Sequence, residues 1–202
     1  MLALRLAYTA YVLVLVPAYL GHYGPGNFLW LSDIALFGGL AALWLRLPLL
    51  ASMQTIAVLV PEATWNLDLL LRLAFDVRLL GMTEYMFMPS IPLSIRLLSL
   101  FHVWLPLVLL WMVRQFGYDR RALLYQTVAG TIVLIATYVF TGPEVNINVV
   151  HQVGEFRGMQ SLALTCILFP LLCYLPVHLL LRATMPQAAR IRGASESGGD
   201  RT

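Results

Sequence analysis

The chain has 202 residues, of which 60% are hydrophobic and 11% charged, and its mean hydropathy is +0.79. This composition excludes an ordinary soluble globular domain and indicates an integral membrane protein. All 13 basic side chains are arginines, and they lie near segment ends and in the C-terminal tail. This distribution excludes a nucleic-acid-binding patch, so the net charge of +3 reports membrane topology.

Six stretches meet or approach the ~20 apolar residues that cross a hydrocarbon core of ~30 Å. They cover residues 3–20, 28–45, 48–71, 97–113, 122–140 and 161–181. The first stretch follows an arginine but lacks a small-residue cleavage site, so it is predicted to be retained as a span. Short, turn-rich connections predict one all-α transmembrane bundle over residues 1–192. The polar, glycine-rich residues 193–202 are predicted to be a disordered cytoplasmic tail.

The arginines predict the orientation, because loops kept in the cytoplasm carry the excess of positive charge. With six spans, nine arginines share the side of both termini: Arg5, Arg46, Arg114, Arg120, Arg121, Arg182, Arg190, Arg192 and Arg201. Four lie on the other side: Arg72, Arg78, Arg96 and Arg157. We therefore expect a bacterial inner (plasma) membrane protein with both termini in the cytoplasm.

Three ionisable residues lie inside the apolar stretches at nearly one depth. Asp33 and His102 are each five residues into a span from the outer side, roughly 8 Å below the edge of the core. Glu62 reaches the same level from the inner side, about 21 Å along its span. Burying such groups in hydrocarbon is costly, so they usually face the bundle interior and mark a site. The sequence predicts one polar layer in the outer half of the bundle.

The third span contains the most polar stretch, residues 61–68. Pro61 removes a backbone donor, which predicts a kink or break in the helix there. Glu62 and Asn66 then share a face, and Asp68 is predicted to pair with Arg72 four residues on. Two interpretations of Glu62 remain open: a member of a buried site, or a carboxylate that complements the start of a half-helix.

His102 also has two interpretations. It is either a base that a carboxylate orients, or a polar contact that holds helices together. Asp33 is either part of the same site or an interfacial residue at a helix start. A carboxylate kept neutral by the low dielectric, with proton relay as its consequence, is a further possibility.

The outer loop 141–151 alternates Val or Ile with Asn and predicts either a lid over the bundle mouth or a solvated turn. Asn146, Asn148 and His151 in this loop, with Tyr138 before it, complete the predicted binding residues together with Asn66 and Asp68. Three histidines (His22, His102, His151) lie in the outer half, yet no pair has the spacing that places two ligands on one helix face. No metal site and no cofactor are predicted.

The segment 27–33 (NFLWLSD), taken with His102 and Pro106, resembles the pattern of the androgen-induced-gene family and its bacterial relatives with six to seven helices. That family includes intramembrane hydrolases of lipid esters and an acyltransferase relative. The resemblance implies that His102 occupies the position of the family's histidine. The family's hydrolases use a threonine early in one helix together with the histidine in another. That threonine would fall on Trp30, which cannot be a nucleophile, so the resemblance leaves Ser32 as the substitute nucleophile. The chain also resembles uncharacterised bacterial membrane proteins, which implies no function.

Two classes of function follow. In the first, a lipid-processing enzyme uses His102 as general base, Asp33 or Glu62 to orient it, and Ser32 or water as nucleophile. In the second, the protein is an accessory or structural subunit of a membrane complex, or a small transporter, and these residues fix packing or bind an ion. The expected partners are membrane lipid and proteins within the membrane, with no nucleic acid.

Overall fold

The computed structural model describes residues 1–188, which form six helical rods. The elements are α1 (Leu2–Tyr23), α2 (Leu31–Leu45), α3 (Pro48–Phe75), α4 (Leu93–Leu98), α5 (Phe101–Phe116), α6 (Ala122–Phe140), α7 (Met159–Leu168) and α8 (Leu175–Thr184). The pairs α4–α5 and α7–α8 are each one rod with an irregular joint. The tail predicted for residues 193–202, and the end of the predicted domain before it, lie outside the described residues.

Successive rods run in opposite directions, which gives the bundle two ends. The upper end carries the connections 24–30, 76–92 and 141–158, and the lower end carries 46–47 and 117–121. The upper connections contain short 3-10 turns and one two-stranded hairpin, β1 (Gln152–Val153) paired with β2 (Phe156–Arg157). The sequence predicts that the upper end faces the outside of the cell.

Within residues 1–188, four rods are long and apolar enough to cross a membrane: Leu2–Tyr23, Leu93–Phe116, Ala122–Phe140 and Met159–Thr184. The span predicted for residues 122–140 is confirmed as a helix with those bounds. α2 is apolar but shorter, with 15 residues. These helices are compatible with a membrane protein.

α3 is the longest helix and lies at the centre of the bundle, where it contacts α2, α5, α6 and α8. Pro48 at its first turn needs no backbone donor there, which favours the helix start. The helix then continues through Pro61, so a break at this residue is wrong, while a kink there stays a prediction. A proline inside a helix removes one hydrogen bond, and the contacts on all sides of α3 hold the helix through that loss.

Two rods contain joints that the sequence did not predict. α4 ends before Ser99 and Leu100, and α5 begins at Phe101 directly before His102. Between α7 and α8, Phe169–Tyr174 forms a π-helix, a rare geometry that often occurs at functional positions. It brings the Tyr174 hydroxyl against the backbone of α6 at Gly130, where an added Cβ would lie 2.7 Å from that oxygen.

A tightly packed apolar layer fills the middle of the bundle. Its most buried members, each with no exposed surface, are Leu15, Leu36, Leu43, Ile56, Leu105, Leu109 and Met112. They come from α1, α2, α3 and α5.

The lower end is closed by the last described residues. The Tyr118 N–H donates to the Pro186 carbonyl at 2.6 Å, and the Ala188 N–H donates to the Tyr118 carbonyl at 3.1 Å. Gly117 has a φ of +85°, and a Cβ there would lie 2.5 Å from the Cα of Ala188. The loop between α5 and α6 therefore requires glycine at this position.

Candidate acid–base site

The centre of the candidate site is a direct contact between α3 and α5. Nδ1 of His102 lies 2.6 Å from Oε2 of Glu62, a short, charge-assisted geometry. Glu62 is 1% exposed, whereas the His102 side chain keeps 14% of its surface exposed. Nε2 of His102 has no hydrogen-bond partner among residues 1–188. Glu62 therefore binds one ring nitrogen and leaves the other open.

The pair is held in place by its neighbours on the same two helices. The side-chain amide of Asn66 donates to the backbone carbonyls of Glu62 (2.8 Å) and His102 (2.7 Å), which ties α3 to α5. Trp65 stacks on the imidazole with ring centroids 4.6 Å apart, and Phe101 stacks on it at 4.1 Å. The imidazole orientation is thus fixed by packing as well as by its carboxylate. The predicted shared face of Glu62 and Asn66 is present.

Asp33 lies in the first turn of α2 and is 2% exposed. Within residues 1–188 no hydrogen bond joins it to Glu62 or His102. Its Oδ2 accepts a long hydrogen bond of 3.3 Å from Asn27. Oδ1 of Asp33 and Oε1 of Glu62 are both buried without a partner among the described residues. The contact with His102 is therefore made by Glu62 and not by Asp33.

A hydroxyl cluster completes this polar layer and was missed by the sequence reasoning. The Tyr19 hydroxyl of α1 lies 2.7 Å from Oγ of Ser99, at the joint between α4 and α5. Tyr85 from the upper loop lies beside Ser99 and Trp65, and burial raises the pKa of its hydroxyl. Ser99 lies in the joint between α4 and α5, so a count of residues along a straight helix does not place it beside Tyr19.

Ser32, the predicted substitute nucleophile, is half-buried at the start of α2. Within the described part of the chain, no hydrogen bond joins its hydroxyl to His102, Glu62 or Asp33. Asp33 is buried in the first turn of α2. The neighbouring Ser32 hydroxyl has no hydrogen bond to a side chain that could act as its base.

Asp68 has a different role from the one its spacing suggested. Its carboxylate accepts hydrogen bonds from the backbone N–H groups of Leu79, Leu80, Gly81 and Thr83 and from the Thr83 hydroxyl, at 2.7–3.3 Å. The predicted pair with Arg72 is wrong, because Arg72 binds Asp76 at 2.6 Å at the end of α3. Asp68 thus anchors the loop 76–92 over the upper end of the bundle.

The asparagine loop is an ordered cap rather than a solvated turn. The Asn148 side chain accepts from the Leu31 N–H (3.0 Å) and donates to the Leu29 carbonyl (2.7 Å), so it joins this loop to the start of α2. Asn146 instead satisfies its own loop by accepting from the N–H groups of His151 and Gln152. Both asparagines have a positive φ, a conformation that asparagine tolerates better than most residues.

His151 stacks on Tyr138, with ring centroids 4.9 Å apart, at the side of the bundle formed by α6 and α7. Two of the predicted binding residues therefore contact each other, and no hydrogen bond among the described residues joins them to His102 or Glu62. His22 contacts Tyr23 instead. Within residues 1–188, no three His, Cys, Asp or Glu side chains lie together as metal ligands.

Exposed apolar side chains lie near the pair in sequence on both helices. Val103, the next residue of α5 after His102, is 41% exposed. On α3, Leu70 lies one turn beyond Asn66 and is exposed. Such side chains suit a lipid environment.

The fold and site together define a polytopic helical bundle that is compatible with a membrane protein and carries a buried carboxylate–histidine pair. Comparisons of the chain with protein-family models, with curated proteins and with solved structures find no match.

Proposed function

We propose that the chain is a membrane enzyme that cleaves or transfers the acyl group of a lipid ester, with His102 as general base. The observation that carries this proposal is the asymmetry of the His102 ring. Nδ1 is bound to Glu62 at 2.6 Å, and Nε2 has no partner among the described residues. A carboxylate that accepts the Nδ1 proton leaves a lone pair on Nε2 and stabilises the imidazolium that forms during reaction.

The reaction is written with water as the nucleophile, since Ser32 is not hydrogen-bonded to a base. Nε2 takes a proton from water as the water oxygen bonds to the ester carbonyl carbon. The bond from that carbon to the ester oxygen then breaks, and the leaving alcohol takes the proton from Nε2. The products are a fatty acid and an alcohol. An acceptor alcohol in place of water gives acyl transfer by the same steps.

The substrate class follows from the depth and surroundings of the pair. The sequence predicts His102 roughly 8 Å below the edge of the hydrocarbon core, in the outer half of the bilayer and so on the side of the outer-leaflet ester linkages. Val103, next to His102 on α5, and Leu70, one turn beyond Asn66 on α3, are exposed apolar side chains. We propose that the ester enters sideways from the outer leaflet, in a bacterial inner membrane, with both termini cytoplasmic and all six rods crossing.

One observation favours a second candidate, a packing role in a larger membrane assembly. Asn66 bonds to one carbonyl on each of two helices, so this layer also fixes how α3 and α5 pack. A protein partner would then bind the bundle through its apolar outer surface.

Turnover of a fluorogenic diacylglycerol ester by the full chain in lipid nanodiscs tests the proposal. We expect His102→Ala to reduce turnover 10²–10⁴-fold, the usual contribution of a general base. His22→Ala is the matched control, because it removes an exposed histidine at the same end of the bundle and should leave turnover unchanged. Turnover by the wild-type chain that survives His102→Ala would overturn the proposal. No turnover in any variant, with a lower melting temperature for His102→Ala, would favour the packing role.

A further inference from the structure

The loop 76–92 folds back along the last part of α3. The carboxylate of Asp68 accepts hydrogen bonds from four backbone N–H groups of this loop, at 2.9–3.3 Å. α3 continues beyond Asp68 to Phe75, so the chain returns from Phe75 to the level of Asp68. At a rise of about 1.5 Å per residue, this return covers roughly 10 Å along the helix axis.

The level of Asp68 is the level at which α3, crossing a bilayer, leaves the hydrocarbon core. α3 begins at Pro48, two residues after the exposed Arg46, a charged residue that suits the lower edge of the core. From Pro48 to Asp68 the helix is about 30 Å long, which matches the thickness of the core. Arg72 and Asp76 form an ion pair at 2.6 Å beyond this level. The loop is therefore held at the upper edge of the core and not in the water above it.

The side chains that the loop exposes at this level are apolar. Leu80 is 66% exposed, and Val77, Leu79 and Met82 are exposed as well. The last turns of α3 share this character, since Leu73 is 64% exposed. The loop thus extends an apolar surface of the helix, and exposed apolar surface of this kind marks an interaction with lipid or with a partner.

The backbone of the loop also suits an environment with little water. An unpaired backbone N–H group is costly there, so a loop at this depth needs partners within the protein. Asp68 supplies an acceptor for four N–H groups, and loop carbonyls supply others. The Met86 N–H donates to the Thr83 carbonyl at 3.0 Å, and the Met88 N–H donates to the Tyr85 carbonyl at 3.3 Å. A loop in water does not need this arrangement, because water supplies the partners.

We infer that the loop 76–92 is an interfacial membrane anchor, with Leu79, Leu80 and Met82 inserted among the lipids at the upper end of the bundle. Its partner is membrane lipid, because Asp68 holds the loop at the level where lipid begins. Insertion removes the apolar side chains from water and leaves the backbone bonds intact. The anchor fixes the depth of α3. It rests on the proposed crossing of the bilayer by α3 and not on ester cleavage.

Spin labelling of the full chain in lipid nanodiscs tests the depth of the loop. Cys166→Ala and Cys173→Ala first remove the native thiols. A nitroxide is then attached at Leu80→Cys, or at Glu155→Cys as the matched control. Glu155 is exposed in the turn between β1 and β2, at the same end of the bundle. Electron paramagnetic resonance measures how often the label collides with oxygen, which concentrates in lipid, and with a nickel chelate, which stays in water.

We expect the ratio of oxygen to nickel collisions to be several-fold higher at position 80 than at position 155. This corresponds to a label about 5–10 Å below the headgroup boundary, the depth of interfacial apolar faces. A label at Met82→Cys, measured in the same way, should give the same result.

A ratio at either loop position no higher than at position 155 would overturn the inference. A surface that waits in water for a protein partner would give that result, because the nanodisc holds only this chain and lipid. Neither measurement depends on ester turnover, so failure of the enzymatic proposal is seen separately.

Discussion

Asp68 and Glu62 lie six residues apart on α3, and each is 1% exposed, yet their surroundings differ completely. Asp68 accepts five hydrogen bonds from the loop 76–92. Glu62 has one side-chain partner, His102, and one oxygen with none among the described residues. A fully satisfied carboxylate fixes structure, whereas one that is left partly unsatisfied beside a histidine is available for chemistry.

The largest effect that this comparison predicts is on stability at Asp68. Asp68→Ala removes the acceptor for four backbone N–H groups and one hydroxyl, so we expect the free energy of unfolding to fall by about 4 kcal/mol. Reversible unfolding in detergent measures this change, and limited proteolysis should show cleavage within residues 76–92. Asp76→Ala, at an exposed ion pair, is the control with little effect. Equal stability of the two variants would remove Asp68 as the anchor of the loop.

A second prediction concerns the Glu62–His102 contact. A double-mutant cycle with Glu62→Gln and His102→Gln should give a coupling energy of about 2 kcal/mol, in the range of hydrogen bonds to charged groups. Unfolding free energies of the four proteins supply the cycle. Additive effects of the two substitutions would contradict the contact that defines the site.

The sequence predicted the contact between Glu62 and His102 only as far as the chemistry of single residues allows. The cost of burying charge placed Glu62 and His102 in one layer, and the structure shows them in contact. Nothing in residue type indicated the partners of Asp68, because most of them are backbone N–H groups of a loop. The Arg72 assignment failed because Asp76, in a left-handed conformation at the end of α3, lies closer to that arginine.

Helix positions were predictable from apolar length, and the joints were not. The break before Phe101 lies in an apolar run whose residue types give no stop signal. That break places Ser99 against Tyr19, so the hydroxyl cluster depends on geometry that a count of residues along a straight helix misses. Pro61 shows the opposite error, since tertiary contacts keep the helix intact where a local rule predicts a break.

A smaller effect is expected at the asparagine cap. Asn148→Ala leaves the Leu31 N–H and the Leu29 carbonyl without their side-chain partner, which should cost about 1–2 kcal/mol. Asn146→Ala is a matched change in the same loop whose bonds stay within that loop. Hydrogen exchange at the Leu31 amide should accelerate in Asn148→Ala but not in Asn146→Ala. Equal exchange in both would show that the cap does not hold α2.

The smallest effect concerns the lower end, which is far from the site. The Tyr118 hydroxyl lies 2.6 Å from Nδ1 of His178, and burial raises the pKa of this tyrosine, so the hydroxyl stays neutral. Tyr118→Phe should lower the free energy of unfolding by about 1 kcal/mol and leave the nitrogen-15 chemical shifts of His102 unchanged. Reversible unfolding measures the first effect, and nitrogen-15 NMR of the four histidines measures the second. A change in the His102 shifts would show that the two ends of the bundle are coupled.

The measurement that tests the central claim most directly compares ester turnover in Glu62→Gln and Asp68→Asn, both reconstituted in nanodiscs at a temperature where each is folded. The account predicts that Glu62→Gln, which keeps the shape of the side chain but no longer stabilises the imidazolium, loses at least tenfold in turnover per folded molecule. Asp68→Asn should be less stable yet retain most of its turnover per folded molecule. Equal turnover in the two variants, or a loss confined to Asp68→Asn, would contradict the assignment of chemistry to Glu62 and His102.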